Sequence, residues 1–316
     1  MRAQQYLDAY PEIADEDVSP AFVFVGPQRS GTSKLFRLLA ADPRRTKLLT
    51  WQGVNPIPVA CPLSPDAEDP RIAEAEAWVE ELHWVQQAHE LDARAPEMEA
   101  VIMLQGFMMN TTQRIVPSHQ RWCAAADHTP VCDWMHSMLQ FVQWQNPGPH
   151  RPWILKSPTH LPSLRALHAR YPDAVLVTTH RHPLTSVASM FKLVELGTVA
   201  NTRSLDRARI RDFWLRILRS NLQNFLDLRD HCTTATWVDV PYPELCDDAM
   251  RSVERIYDAV GAPLDDDAVA RLQRWEEENP QHKRGEFSYR LEEFGMTRDD
   301  VEREFADYVD RFGHLF

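Results

Sequence analysis

The sequence predicts an α/β fold: a parallel sheet with helices on both faces, three layers in all. Three observations carry this. Short apolar runs alternate along the chain with segments of helical period, as in successive βαβ units. The runs are continuously hydrophobic, as strands buried on both faces are. Each also stops at a polar tip. Gly26–Ser33, Lys156–His160 and His180–Ser189 therefore fall at the carboxyl ends of strands, where open α/β sheets collect ligands.

Taken in order, "AFVFV" (21–25) is a buried strand. Gly26 opens a turn, and "GTSKLFRLLAA" (31–41) is a helix with Leu35, Leu38 and Leu39 on one face and Pro43 beyond its end. Residues 51–75 are Pro-rich, have no period and are expected to be irregular. Residues 72–146 are expected to be largely helical, so that about 51–150 forms a helical cap insertion over one end of the sheet. Trp78, Trp84, Met103, Phe107, Met108, Met109, Trp122, Trp134, Met138 and Trp144 either line an apolar pocket there or fill helix–helix core. "PWILKS" (152–157) is a second strand, followed by a helix over 160–171. "AVLVTTHR" (174–181) is a third strand. The helix over 183–197 has Pro183 at its start and Gly197 at its expected end. A long amphipathic helix spans 205–231, and "ATWVDV" (235–240) is a further strand. Helices over 248–261, ending at Gly261, and over 265–278 precede a tail from about 279 to 316.

The chain has 316 residues, suited to one large α/β domain over 1–316, and its 44% apolar content supplies a core. The formal charge of −12 argues against a nucleic-acid binder, which needs a basic face. The first residues hold no apolar signal segment, and no stretch approaches the roughly 20 apolar residues of a membrane span. A cytoplasmic location is expected. Cys61, Cys123, Cys132, Cys232 and Cys246 form no C-x-x-C pair and read as reduced thiols, with no metal site implied. The sequon at 110–112 then matches by chance.

The chemistry lies in the tips. In "VGPQRSGTSK" a glycine-bearing turn opens a helix, offering free backbone N–H groups and the positive end of the helix dipole. Arg29 adds a planar fork of donors, and Ser30, Thr32 and Ser33 add hydroxyls. The lysine of a nucleotide-triphosphatase P-loop is absent. In "THRHPLTSVASM" Arg181 stands at a strand end, with Ser186 and Ser189 on the helix that follows. Two anion clamps on one sheet edge suit a ligand with phosphate at both ends.

On these motifs the chain resembles the sulfotransferases that use 3′-phosphoadenosine-5′-phosphosulfate (PAPS), in particular their bacterial branch. "GPQRSGTSKLFRLLAADPR" is similar to the family's 5′-phosphosulfate loop, and "THRHPLTSVASM" to its 3′-phosphate motif. "WILKSPTHL" resembles its strand-end lysine segment, and "KRGEFSYRLEEFG" its cofactor-closing tail. The resemblance implies a P-loop-like sulfotransferase fold and in-line transfer of a sulfuryl group to an acceptor hydroxyl, with 3′-phosphoadenosine-5′-phosphate (PAP) as product; the Trp- and Met-rich cap favours a small apolar or aromatic acceptor over a charged glycan. The resemblance also implies that Arg29, Ser30, Gly31, Thr32, Ser33, Arg181, Ser189, Lys283 and Arg284 bind the cofactor. Lys156 and Arg29 would stabilise the transferring group.

Relatives often carry Glu after the Trp of a "T-W-E" segment as general base; this chain has "TWQG", with Gln52. Glutamine cannot take that proton usefully. His160, four residues after Lys156, is the alternative catalytic base, with His89, Glu97 and Glu99 as weaker candidates expected on the solvated face of the cap. Trp51, Gln52 and Phe107 are expected at the acceptor pocket. His182 stands where relatives have Asp, and Phe287 where they often have His. Two further readings stay open: a non-catalytic or impaired nucleotide-binding relative lacking its base, and a P-loop phosphotransferase.

Overall fold

The computed structural model describes residues 2–59, 68–108, 114–146, 148–280 and 288–316. Four strands, β1 (Pro20–Phe24), β2 (Trp153–Lys156), β3 (Val175–His180) and β4 (Trp237–Pro241), form a parallel sheet in the order β2-β1-β3-β4. Side chains alternate along a strand with period two, so each strand feeds two cores. Phe22, Phe24, Ile154, Val175, Val177, Val238 and Val240 join one cluster, and Val23, Val25, Leu155 and Leu176 the other. β4 lies at the edge, and there the pattern changes: Val238 and Val240 are buried, while Trp237, Asp239 and Pro241 are only half-buried. Pro241, which cannot donate to a ladder, closes this edge strand.

The helices fall in chain order as α1 (Arg2–Ala9), α2 (Thr32–Leu39), α3 (Thr50–Val54), α4 (Pro70–Glu81), α5 (Ala100–Gln105), α6 (Pro117–Ala125) and α7 (Thr129–Trp144). Then come α8 (Leu164–Arg170), α9 (Pro183–Asn201), α10 (Arg207–His231), α11 (Tyr242–Asp247), α12 (Ala249–Ala259), α13 (Asp266–Glu278), α14 (Arg298–Glu304) and α15 (Ala306–Phe312). α2, α11, α12 and α13 cover the Phe22–Phe24 face; α7 to α10, α14 and α15 cover the other.

Three expected elements differ. Residues 50–54 are helical, because Gln52 caps that turn, and α4 starts at Pro70 with Asp69 as its N-cap, so 51–75 is not irregular throughout. Within 72–146, residues 86–99 form turns and extended chain, so helix is interrupted there. α9 runs through Gly197 to Asn201. Gly197 does not adopt the positive φ of a helix stop, whereas Gly261 does, at φ 62°, just past the end of α12.

The chain passes from β1 to β2 on one side and then crosses to β3 on the other. The crevice of this sheet therefore opens beyond the carboxyl ends of β1 and β3. That is where the Arg29 loop and Arg181 lie. Among the described residues no helix is long and apolar enough to cross a membrane.

Candidate active site

The loop after β1 is held in an unusual shape. Arg29 sits at φ 65° and Gly31 at φ 97°. A non-glycine residue keeps positive φ only where its surroundings over-determine it. Here Ser30 does so: its Oγ donates to the Pro27 carbonyl (2.6 Å) and lies 2.6 Å from Thr179 Oγ1 on β3. Neighbouring chain also presses on the loop. A Cβ at Gly26 would lie 3.1 Å from the Thr179 nitrogen, and one at Gly31 would lie 2.9 Å from the Tyr242 ring. The Ser30 hydroxyl is thus a staple, fully buried, and what the loop offers a ligand is its N–H groups with the hydroxyls of Thr32 and Ser33.

Beside the loop, the β3 tip and the first turns of α9 supply the second clamp. Arg29 Nε donates to Ser189 Oγ (3.0 Å). Arg181 donates to the Arg29 carbonyl (3.2 Å) and to the Tyr289 hydroxyl (3.3 Å), and its guanidinium lies 4.2 Å from the Tyr242 ring centre. Among the described residues no carboxylate pairs with Arg181. Burial pushes the Arg29 guanidinium pKa down, and the charge of Arg181 pushes it the same way. An anion between the two would relieve both effects through charge-assisted hydrogen bonds.

The third tip carries Lys156, which is 3% exposed. Its Nζ donates to Ser33 Oγ (3.3 Å) and lies 3.7 Å from Glu97 Oε1. Glu97 sits in the non-helical stretch of the cap. Its Oε2 accepts from His89 Nε2 (3.0 Å) and lies 3.5 Å from Arg37. Burial by itself would raise the Glu97 pKa, but the hydrogen bond from His89 and the charges of Lys156 and Arg37 outweigh it and hold the carboxylate ionised. Burial lowers the Lys156 pKa, and it lowers that of His89 despite the pull of Glu97. His89 is therefore a neutral imidazole with Nε2 tied to a carboxylate, leaving Nδ1 to accept a proton.

A cavity of about 310 Å³ brings these groups together, with Arg29, Thr32, Ser33, His89 and Lys156 in its wall. The rest is mostly apolar, including Trp78, Trp84, Met98, Met108, Met190 and Trp214. Of the aromatic and methionine residues singled out in the sequence, Trp78, Trp84 and Met108 reach it. Met103 and Met138 are core, Trp134 and Trp144 pack against the core, and Trp122 and Phe107 are 52% and 77% exposed.

Three expected pocket residues lie elsewhere. Phe107 faces solvent, and Trp51 packs under Arg71, whose guanidinium is 4.8 Å from the ring centre. Gln52 turns inward to accept from the Leu49 N–H (3.0 Å), closing the first turn of α3. His160 is fully buried outside the cavity wall, its Nε2 3.3 Å from Glu99 Oε2, while Glu99 accepts the Lys156 backbone N–H (2.8 Å). Glu97 and Glu99 are buried, not solvated. Lys283, Arg284 and Phe287, together with Cys61, Met109 and the sequon, lie outside the described residues. The sequence reading missed Tyr242, Met190, Trp214 and Asn221; only the position of Tyr242 just past a strand hinted at a role.

The sequence profile of the sulfotransferase family matches residues 20–266. The chain belongs to the sulfotransferase family. Its structure is similar to that of sulfotransferase STF9 from Mycobacterium avium, at 28% identity and a TM-score of 0.79 over 98% of this chain and 81% of that one. It is equally similar to sulfotransferase STF1 from Mycobacterium tuberculosis H37Rv, at 27% identity and a TM-score of 0.79 over 97% of this chain and 81% of that one. No protein of curated function matches it by sequence. The fold is thus the α/β sulfotransferase fold, and the chemistry of this sulfotransferase is sulfuryl transfer.

Proposed function

We propose that this sulfotransferase uses PAPS as donor and a hydroxyl of a small apolar or aromatic molecule as acceptor. One observation carries the reading: the phosphosulfate-type loop, Lys156 and the buried His89–Glu97 pair meet at one largely apolar cavity. PAPS, when bound, supplies a sulfuryl group already attached to a good phosphate leaving group. The N–H groups of the loop, with Thr32 and Ser33, hold its 5′ end. Arg181 and Ser189, with Lys283 and Arg284 of the tail, hold its 3′-phosphate. Lys156 and Arg29 stabilise the charge that builds on the transferring and leaving oxygens, where fixed donors in a dry site act most strongly.

His89 takes the place expected of Glu at position 52 or of His160. Its Nδ1 would take the acceptor proton during transfer, and Glu97 holds the ring in the required tautomer. The test is incubation with ³⁵S-labelled PAPS and a panel of phenols, alcohols, lipids and sugars. Label should pass to apolar or phenolic acceptors. Tight binding of PAP with no transfer across the panel would make the chain a non-catalytic relative. Mg²⁺-dependent ATP or GTP binding would point to a phosphotransferase instead.

A further inference from the structure

α10 forms one wall of the cavity with Trp214, Ile217, Asn221 and Asn224, a stripe at helical spacing about 15 Å long. Two of its members are out of character. Asparagine is a poor helix-interior residue and usually faces water or bonds back to its own backbone. Asn201 on α9 does bond back, to the Gly197 carbonyl. Asn221 does neither. It is 5% exposed, its side-chain amide has no hydrogen-bond partner among the described residues, and it borders the cavity. Asn224, one turn on, also borders the cavity without a partner. An amide left unpaired at a cavity wall is open to a partner inside the cavity.

The charges of the wall narrow what that partner is. Among the described residues lining the cavity none is acidic. Its fixed cations, Arg29 and Lys156, belong to the transfer site, and both nitrogens of His128 are engaged, by Ser163 Oγ (2.7 Å) and the Cys123 carbonyl (2.8 Å). An ammonium group on the acceptor would meet no counter-charge. A carboxamide would meet, in Asn221, both the donor and the acceptor that complement it.

We infer that Asn221 selects acceptors carrying a second, uncharged polar group of carboxamide type in addition to the hydroxyl that receives sulfate. The inference rests on the proposed function for calling the ligand an acceptor. Its test reads binding as well as turnover, so the two can fail separately.

The test uses the full chain with PAP for calorimetry, with PAPS for turnover, and para-alkylphenols ending in methyl, carboxamide or ammonium at two to four methylenes. The wild type should bind the best carboxamide roughly tenfold more tightly than its methyl counterpart, with the ammonium weakest, about what one neutral hydrogen bond contributes. Asn221→Leu should remove that preference by raising KM for the carboxamide at unchanged kcat, and leave the methyl compound within twofold. Asn221→Ala is the second variant should leucine disturb folding. No preference in the wild type, an equal loss for both phenols, or a weakened affinity for PAP would each overturn the assignment. Preference in binding without transfer would overturn the proposed activity and leave the assignment standing.

Discussion

Replacing His89 by glutamine separates the proposed proton-transfer role from everything else at the site. The Gln amide can still donate to Glu97, so the carboxylate keeps its contacts with Lys156 and Arg37 at 3.7 and 3.5 Å and no charge is left buried alone. What disappears is the only neutral, proton-accepting nitrogen that the described cavity wall leaves uncommitted. A positioned general base contributes about 10²–10⁴-fold, or roughly 2.7–5.4 kcal/mol of barrier at ~1.36 kcal/mol per decade. With an ordinary phenol, pKa about 10, kcat should fall by ~100-fold or more. With a nitro-substituted phenol, already largely ionised, the loss should shrink severalfold, since little proton remains to be removed. The assay is steady-state transfer across phenols of graded acidity, with PAP affinity and thermal melting as controls. The wild-type kcat/KM should have an acid limb below the usual histidine range, because burial lowers the His89 pKa, and the limb should vanish in the variant. An unchanged kcat, or an equal loss at every acceptor pKa, would refute the assignment of His89 as base.

The remaining predictions test the other contacts. Arg181→Ala should weaken PAP binding by about 10–100-fold in a calorimetric titration, the effect of losing a hydrogen bond to a charged group, and Ser189→Ala by less. Gln52→Ala should leave turnover within twofold yet lower Tm by roughly 1–2 °C, as the loss of a cap worth ~1 kcal/mol does; a large loss of turnover would return Gln52 to the chemistry. Stability should also fall on acidification. Burial, and then the charge of Arg170, push the His136 pKa down to about 4, so its neutral form is favoured in the fold. The unfolded chain takes up that proton near pH 6.5. The stability is thus fully present above that value and lost as pH falls from there toward about 4. Denaturant midpoints at pH 7 and 5 should show the drop, and a smaller one in His136→Gln.

The sheet was legible in the sequence because its signals are local. "AFVFV", "PWILKS" and "AVLVTTHR" are continuous apolar runs, and β1, β2 and β3 fall within a residue or two of them. The anion loop was legible for the same reason: a glycine turn, an arginine and hydroxyls stand within eight residues, followed by a helical period. The edge strand was located as well, through its β-branched residues. Gly197 misled because a glycine stops a helix only when it takes the left-handed conformation, and its position in the packed face of α9 keeps it helical.

The cap was another matter. "HELDARAPE" has no period, and nothing in it distinguishes His89 and Glu97 from solvated residues. They become a buried pair beside Lys156 only because the cap packs onto the ends of β1 and β2. Gln52, conspicuous in the motif, is taken up by the local geometry of a helix turn. By itself the sequence determined the strands, the phosphate-type loop and the family chemistry, since each depends on neighbours a few residues apart. Tertiary packing alone decided which imidazole faces the cavity, which aromatics wall it and where an unpaired amide such as Asn221 points, because those depend on side chains far apart in the chain meeting in one desolvated space.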